Sequence, residues 1–154
     1  LPYYITSPIL FSLLENRDLF EDAILMMQKE VAERLAANIS TKAYGILSVQ
    51  TQLMSSVEML FDVSPNSFSP PPKVQSSVLR LTFDQPKMEC SDKNLKTVVR
   101  TAFNQRRKKI SNSLKPVLGD LQPEGFDFDL RPENWEPATY AKLTVHLESI
   151  GMMD

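Results

Sequence analysis

Two short segments place aromatic rings on stiff backbone: Leu1-Pro2-Tyr3-Tyr4, and Phe68-Ser69-Pro70-Pro71-Pro72-Lys73-Val74. Each proline fixes one backbone dihedral and removes a donor. A ring held on such a loop is suited to stacking on a flat heterocycle. Ordinary readings stand beside these: Pro-Tyr is common in turns, and Phe68 on a surface loop can simply tuck into the core. A third segment is cationic. From Lys93 to Gly119 the chain carries Lys93, Lys96, Arg100, Arg106, Arg107, Lys108, Lys109 and Lys115 and not one acid. The remainder holds nine basic residues and all nineteen acids, so a net charge of −2 conceals a segregation. A basic block within an otherwise acidic chain suits a polyanion partner; its ordinary alternative is a solvated helix face.

Other chemistries have little to build on. His146 and Cys90 are single, which leaves no nitrogen or sulfur cluster for zinc and little for a Ser-His-Asp triad. Gly45, Gly119, Gly125 and Gly151 are too far apart for a phosphate-cradling loop. A lone cysteine fits a reducing, cytoplasmic compartment. No apolar run approaches the roughly 20 residues of a membrane span, and the first residues lack the basic start of a secretory signal.

The elements that must position these segments fall into two parts. The 154 residues suit one domain or slightly more. Ser7-Pro8 marks a helix start, with Ile9, Leu10, Leu13 and Leu14 at helical spacing. Ala23 to Met27 is a continuous apolar run and predicts a buried strand. Helices follow over 29–37 and about 44–54, then strands over 57–63 and 74–83, with Leu79, Leu81 and Phe83 on one side. The fold class is therefore α/β, part of a sheet ending in two adjacent antiparallel strands, over residues 1–86.

Residues 87–154 read as a small all-helical domain. Lys93 to Asn104 has Leu95, Val99, Ala102 and Phe103 on one side. An unbroken helix would place Arg106 and Lys109 on that apolar side too, at a cost of several kcal/mol for unpaired cations. A phase break near Gln105 avoids this. A second helix is then expected from about Arg106, burying Ile110 and Leu114, with Arg106, Arg107 and Lys108 in its first turn. Cations oppose the dipole there unless an anion sits among them and the free N–H groups. A last helix from Pro137 carries the stripe Tyr140, Leu143, Leu147 and Ile150 and ends at Gly151. Trp135 reads as core, and His146 as a boundary residue.

Leu1-Pro2-Tyr3-Tyr4-Ile5 resembles the tail of the Asn-Leu-Pro-Tyr motif of the rRNA adenine N-methyltransferases. Segments 28–35 and 42–49 resemble those that follow it. Phe68 to Val74, with Ser76-Ser77-Val78, resembles the family's Phe-x-Pro-Pro-Pro-x-Val loop and next strand. Residues 102–114, from Ala102-Phe103-Asn104-Gln105-Arg106-Arg107-Lys108, resemble the signature of the bacterial KsgA/RsmA-type small-subunit rRNA adenine dimethyltransferases, and Arg131-Pro132-Glu133-Asn134 fits their C-terminal domain. The resemblance implies the C-terminal part of a class I methyltransferase sheet followed by a small helical rRNA-binding domain.

It also implies a reaction: transfer of methyl groups from S-adenosylmethionine to the exocyclic amines of two adjacent adenosines near the 3′ end of small-subunit rRNA, within a 30S-type pre-ribosomal particle. By resemblance the motif's Asn side chain and the backbone carbonyl of Leu1 accept from the amine, Tyr3 stacks on the adenine, and Phe68 holds it from another side; Pro2 belongs to the same catalytic motif. Lys73, Arg106, Arg107 and Lys108 would hold rRNA phosphates, with Asn104 and Gln105 adding polar contacts. No metal is implied. The motif's Asn and the glycine-rich cofactor loop would precede Leu1. The chain is thus expected to be the C-terminal part of such an enzyme, without cofactor-binding residues, inactive alone, and open to self-association through an exposed apolar sheet face. A non-catalytic RNA-binding or ribosome-assembly module on the same fold is the other reading.

Overall fold

In the computed structural model, which describes residues 6–154, α1 (Thr6–Glu15) leads through a short turn to β1 (Asp22–Gln28) and α2 (Lys29–Leu35). α1 buries Leu10 and Leu14, one helical turn apart. It is already helical at Thr6, so Ser7 and Pro8 lie within the first turn. α3 (Ile46–Met54), β2 (Ser56–Val63) and β3 (Ser76–Thr82) follow. β3 lies in the middle of the sheet, antiparallel to β1 on one side and β2 on the other. The expected β2–β3 pair forms, and β1 completes it.

Residues paired across antiparallel strands share a face. On one face Met27, Ser77, Leu79 and Leu81 are buried beneath α2 and α3. On the other, Met26, Val78 and Phe61 form one row and Ile24, Arg80 and Glu58 the next. β1 departs from the buried strand expected of 23–27: only Met27 is buried, and Ile24 is 58% exposed. The reason is one-sided cover, since a continuous apolar run anticipates two covered faces and among the described residues helices cover one. Phe61, 60% exposed, adds to this open apolar surface.

The helical part comprises α4 (Asp92–Phe103), the single turns α5 (Ile110–Ser113) and α6 (Lys115–Leu118), and α7 (Pro137–Ser149). Ser91 caps α4, its Oγ accepting from the Asn94 N–H at 3.1 Å. The Glu148 carboxylate on α7 accepts from the Asn94 side-chain amide and the Ser91 N–H. These donors hold its pKa below the usual carboxylate value. α7 buries Tyr140, Leu143, Thr144 and Leu147, and the chain then reverses at Gly151, whose φ of +78° suits glycine. Ile150, expected in the buried stripe, is exposed because the helix ends at Ser149 and the turn carries its side chain outward.

The strand-to-helix change falls near residue 86, yet one core runs across it. Leu35, Val49 and Leu79 belong to the same buried cluster as Val98, Leu143 and Leu147. Arg17, just after α1, grips Asp92 at the start of α4 with two hydrogen bonds of 2.8 and 3.0 Å.

Candidate nucleic-acid interface

The proline-rich loop joins β2 to β3. Ser64 Oγ accepts from the Asn66 N–H at 3.2 Å, capping a single turn at Pro65–Ser67, and the Phe68 N–H returns to the Pro65 carbonyl at 3.3 Å. The Ser69–Pro70 peptide is cis. At the loop's base the Lys29 N–H donates to the Gln75 carbonyl, and Lys29 Nζ lies 3.0 Å from Asp62 Oδ2. The other Asp62 oxygen accepts from Ser77 Oγ at 2.7 Å. That hydroxyl, and then Lys29, draw the Asp62 pKa below its usual value.

Phe68 is half-buried. With Met26, Gln28, Pro70 and Pro72 it borders a notch of about 340 Å³ at the carboxyl end of β1. Ligands in open α/β sheets bind at such strand ends. The ring is neither sunk in the core nor free in solvent. Lys73, on the same loop, is exposed and has no ion pair among the described residues. Leu1, Pro2 and Tyr3 lie outside the described residues, so the pairing of Tyr3 with Phe68 is not part of the observed geometry.

The cationic segment breaks where the helical phase demands. α4 ends at Phe103, Asn104 and Gln105 are exposed in the turn, and the Lys108 N–H closes on the Gln105 carbonyl at 3.0 Å. The second helix, however, starts at Ile110 and not at Arg106. Its first N–H groups are spent: Ile110 donates to the Leu130 carbonyl at 2.7 Å and Ser111 to the Phe128 carbonyl at 3.0 Å. Arg106, Arg107 and Lys108 therefore sit on a turn, not over free helix donors. An anion here would be held by side chains.

The cations of that turn divide. Arg106 is a strut. Its Nη2 donates to the Thr41 carbonyl at 2.9 Å and lies 3.5 Å from Glu133 Oε2, while its guanidinium carbon is 5.8 Å from the centre of the Phe103 ring. A Cβ at Gly45 would meet its Nη1 at 3.8 Å, an ordinary van der Waals contact, so the guanidinium does not require a glycine there. Arg107 and Lys108 are exposed, with no ion pair among the described residues. Gln105, Lys108, Asn112 and Lys115 border a wide, shallow concavity of about 660 Å³. Lys109 is drawn aside toward Asp129 at 3.6 Å.

Behind the turn stands an aromatic cluster. Tyr44 Oη donates to the Trp135 carbonyl and Tyr140 Oη to the Pro132 carbonyl, both at 2.6 Å, and Trp135 Nε1 donates to the Asp127 carbonyl at 3.0 Å. The Phe103 ring packs against both tyrosines, with centroids about 6 Å apart. Burial raises both tyrosine pKa values well beyond the ordinary 10.

Sequence reasoning did not single out Arg34 and Lys42. With Phe103 and Arg106 they border a second cavity of about 320 Å³ beside Gly45. Their signal was present in segments 28–35 and 42–49, which carry these two cations. No group of three His, Cys, Asp or Glu able to hold a metal occurs among the described residues. No described helix is long and apolar enough to cross a membrane.

The ribosomal RNA adenine dimethylase family matches residues 1–136. A protein named Ribosomal RNA small subunit methyltransferase A from Bacteroides thetaiotaomicron is 48% identical over 150 residues, covering 96% of this chain and 56% of its own length. The protein of that name from Pseudomonas aeruginosa is 46% identical over 154 residues, covering 97% and 58%. The crystal structure of a dimethyladenosine transferase from Plasmodium falciparum superposes with a TM-score of 0.83 at 28% identity, over 98% of this chain and 66% of that one. That of the 23S rRNA methyltransferase ErmE gives 0.66 at 26% identity, over 96% and 63%. The chain spans a little over half the length of the curated relatives it matches. With an α/β fold of the methyltransferase type and a family match over most of its residues, this chain belongs to the ribosomal RNA adenine dimethylase family.

Proposed function

We propose that this chain supplies the substrate side of a small-subunit rRNA adenine-N6,N6-dimethyltransferase acting in ribosome biogenesis in the cytoplasm. Residues 1–86 carry the wall of the adenine pocket and residues 87–154 the rRNA-binding surface. The observation that carries this reading is the exposed pair Arg107 and Lys108, without an ion pair among the described residues, beside the concavity bordered by Gln105, Asn112 and Lys115, in a chain of this family.

The chemistry explains the parts. The adenine amine is conjugated with its ring and is a poor nucleophile. Hydrogen-bond acceptors, here the Leu1 carbonyl, draw the nitrogen toward tetrahedral geometry. The target base must leave its stack to reach them, and Tyr3 and Phe68 hold it once it has. Lys73, Arg107 and Lys108 grip phosphates. Asn104 and Gln105 add hydrogen bonds, and Arg106 keeps the turn in place.

S-adenosylmethionine is the methyl donor that this reading requires. The described residues do not fit its cradle. β1 passes directly into α2 through Gln28 and Lys29 with no glycine between, Gly45 caps α3, and the other glycines lie in the helical part.

The experiment is fluorescence anisotropy with a labelled hairpin from the 3′ end of small-subunit rRNA. Charge reversal, Arg107→Glu with Lys108→Glu, is expected to abolish binding that the unaltered chain shows at moderate salt. Equal binding by the two proteins would refute the reading. Self-association through the open face bearing Ile24 and Phe61 belongs to the same proposal. Sedimentation is expected to show concentration-dependent dimers that Phe61→Glu disperses, and a monomer at all concentrations would contradict it.

A further inference from the structure

A cavity of about 350 Å³ lies between α1, α3 and the start of α4, well away from the basic turn. Its floor is apolar, made by Phe11, Leu14 and Met54. Gln50 also lines it. That residue is only 2% exposed, and its side-chain amide has no hydrogen-bond partner among the described residues. The fully enclosed polar side-chain atoms without a partner among the described residues are Thr51 Oγ1 and Arg80 Nε, so the Gln50 amide keeps contact with the cavity space. The Gln50 amide borders open space that can hold a partner.

The rim is charged. Lys96 Nζ stands 5.2 Å from the centre of the Phe11 ring, and Lys93 is exposed beside it. Neither has an ion pair among the described residues. Asp92 is already neutralised by Arg17, with a closest approach of 2.8 Å. Glu15 alone opposes the two lysines, which leaves one cation in excess. The volume lies at the lower end of the range for small-molecule sites, whose usual character is an apolar lining with a few placed polar groups.

We propose that this cavity binds a small monoanionic aromatic carboxylate carrying a ring N–H. The ring lies on Phe11, Leu14 and Met54, the carboxylate meets Lys93 and Lys96, and the ring N–H donates to the Gln50 carbonyl oxygen. The site stands on this cavity alone and does not depend on the RNA reading.

Three probes separate the contributions: indole-3-acetate, its neutral amide, and naphthalene-1-acetate, which keeps the charge and loses the N–H. Calorimetry with the whole chain is expected to show saturable binding of indole-3-acetate. The neutral amide and naphthalene-1-acetate should each bind about tenfold more weakly, the usual worth of one charge-assisted or buried hydrogen bond. Gln50→Leu should weaken indole-3-acetate about tenfold and leave naphthalene-1-acetate unchanged. Lys96→Gln should weaken both acids. Absence of saturation at millimolar indole-3-acetate, or equal affinity of the unaltered chain for the two acids, would overturn the proposal. This contrast between acids decides the matter even if Gln50→Leu does not fold.

Discussion

The loop 64–75 and the turn 104–109, which we propose face the nucleic acid, are held in different ways. The loop is stiff from within: four prolines, one Ser64 cap, and a clamp at its base where Lys29 and Ser77 meet Asp62. The turn has no proline. It is held from without, by Arg106 reaching the Thr41 carbonyl and by Tyr44, Phe103, Trp135 and Tyr140 packed behind it. Stiffness written into the covalent chain is visible locally. Stiffness borrowed from distant partners is lost when any one of them changes.

The largest break in this comparison is expected from Trp135→Ala. It empties a buried site between Phe126, Phe128 and Tyr140 and should lower unfolding stability by about 3–5 kcal/mol, read as a shift in urea midpoint. The turn should loosen with it, giving faster amide exchange at 104–109 and little change at 64–75. Tyr44→Phe leaves the Trp135 carbonyl without its donor and should cost about 1–2 kcal/mol in the same assay.

Pro71→Gly sharpens the opposite side. It should change global stability by no more than about 1 kcal/mol while speeding exchange within 64–75 alone. The smallest expected effect is a pH dependence at Glu148, which ties α7 to the start of α4. Its folded pKa is lowered, chiefly by the Asn94 amide, so its contribution is present above the usual 4.5 and disappears as pH falls through the folded value. Urea midpoints of Glu148→Gln and the unaltered protein should differ at neutral pH and converge in acid.

The phase break at Gln105 was legible because two cations would otherwise fall on an apolar face; local spacing decided it. The start of α5 was not. Its first donors are taken by the Leu130 and Phe128 carbonyls, which no local pattern connects to Ile110. Arg106 as a strut was hidden for the same reason, since Thr41 lies 65 residues away. Trp135 was legible as core from its apolar bulk. Tyr44, which joins the two parts of the chain through its hydroxyl, gave no sign in the sequence beyond its place in a motif. The apolar run of β1 was legible as a strand, but its depth was not, because cover on a sheet's second face is a property of what packs there.

On the proposed reading the outward cations Arg107 and Lys108, and not the strut Arg106, contact the polyanion. The salt dependence of rRNA-hairpin binding by Arg107→Ala with Lys108→Ala measures this contact. Loss of two phosphate contacts should weaken binding and reduce the slope of log affinity against log salt by about two. A slope equal to that of the unaltered chain would contradict the account.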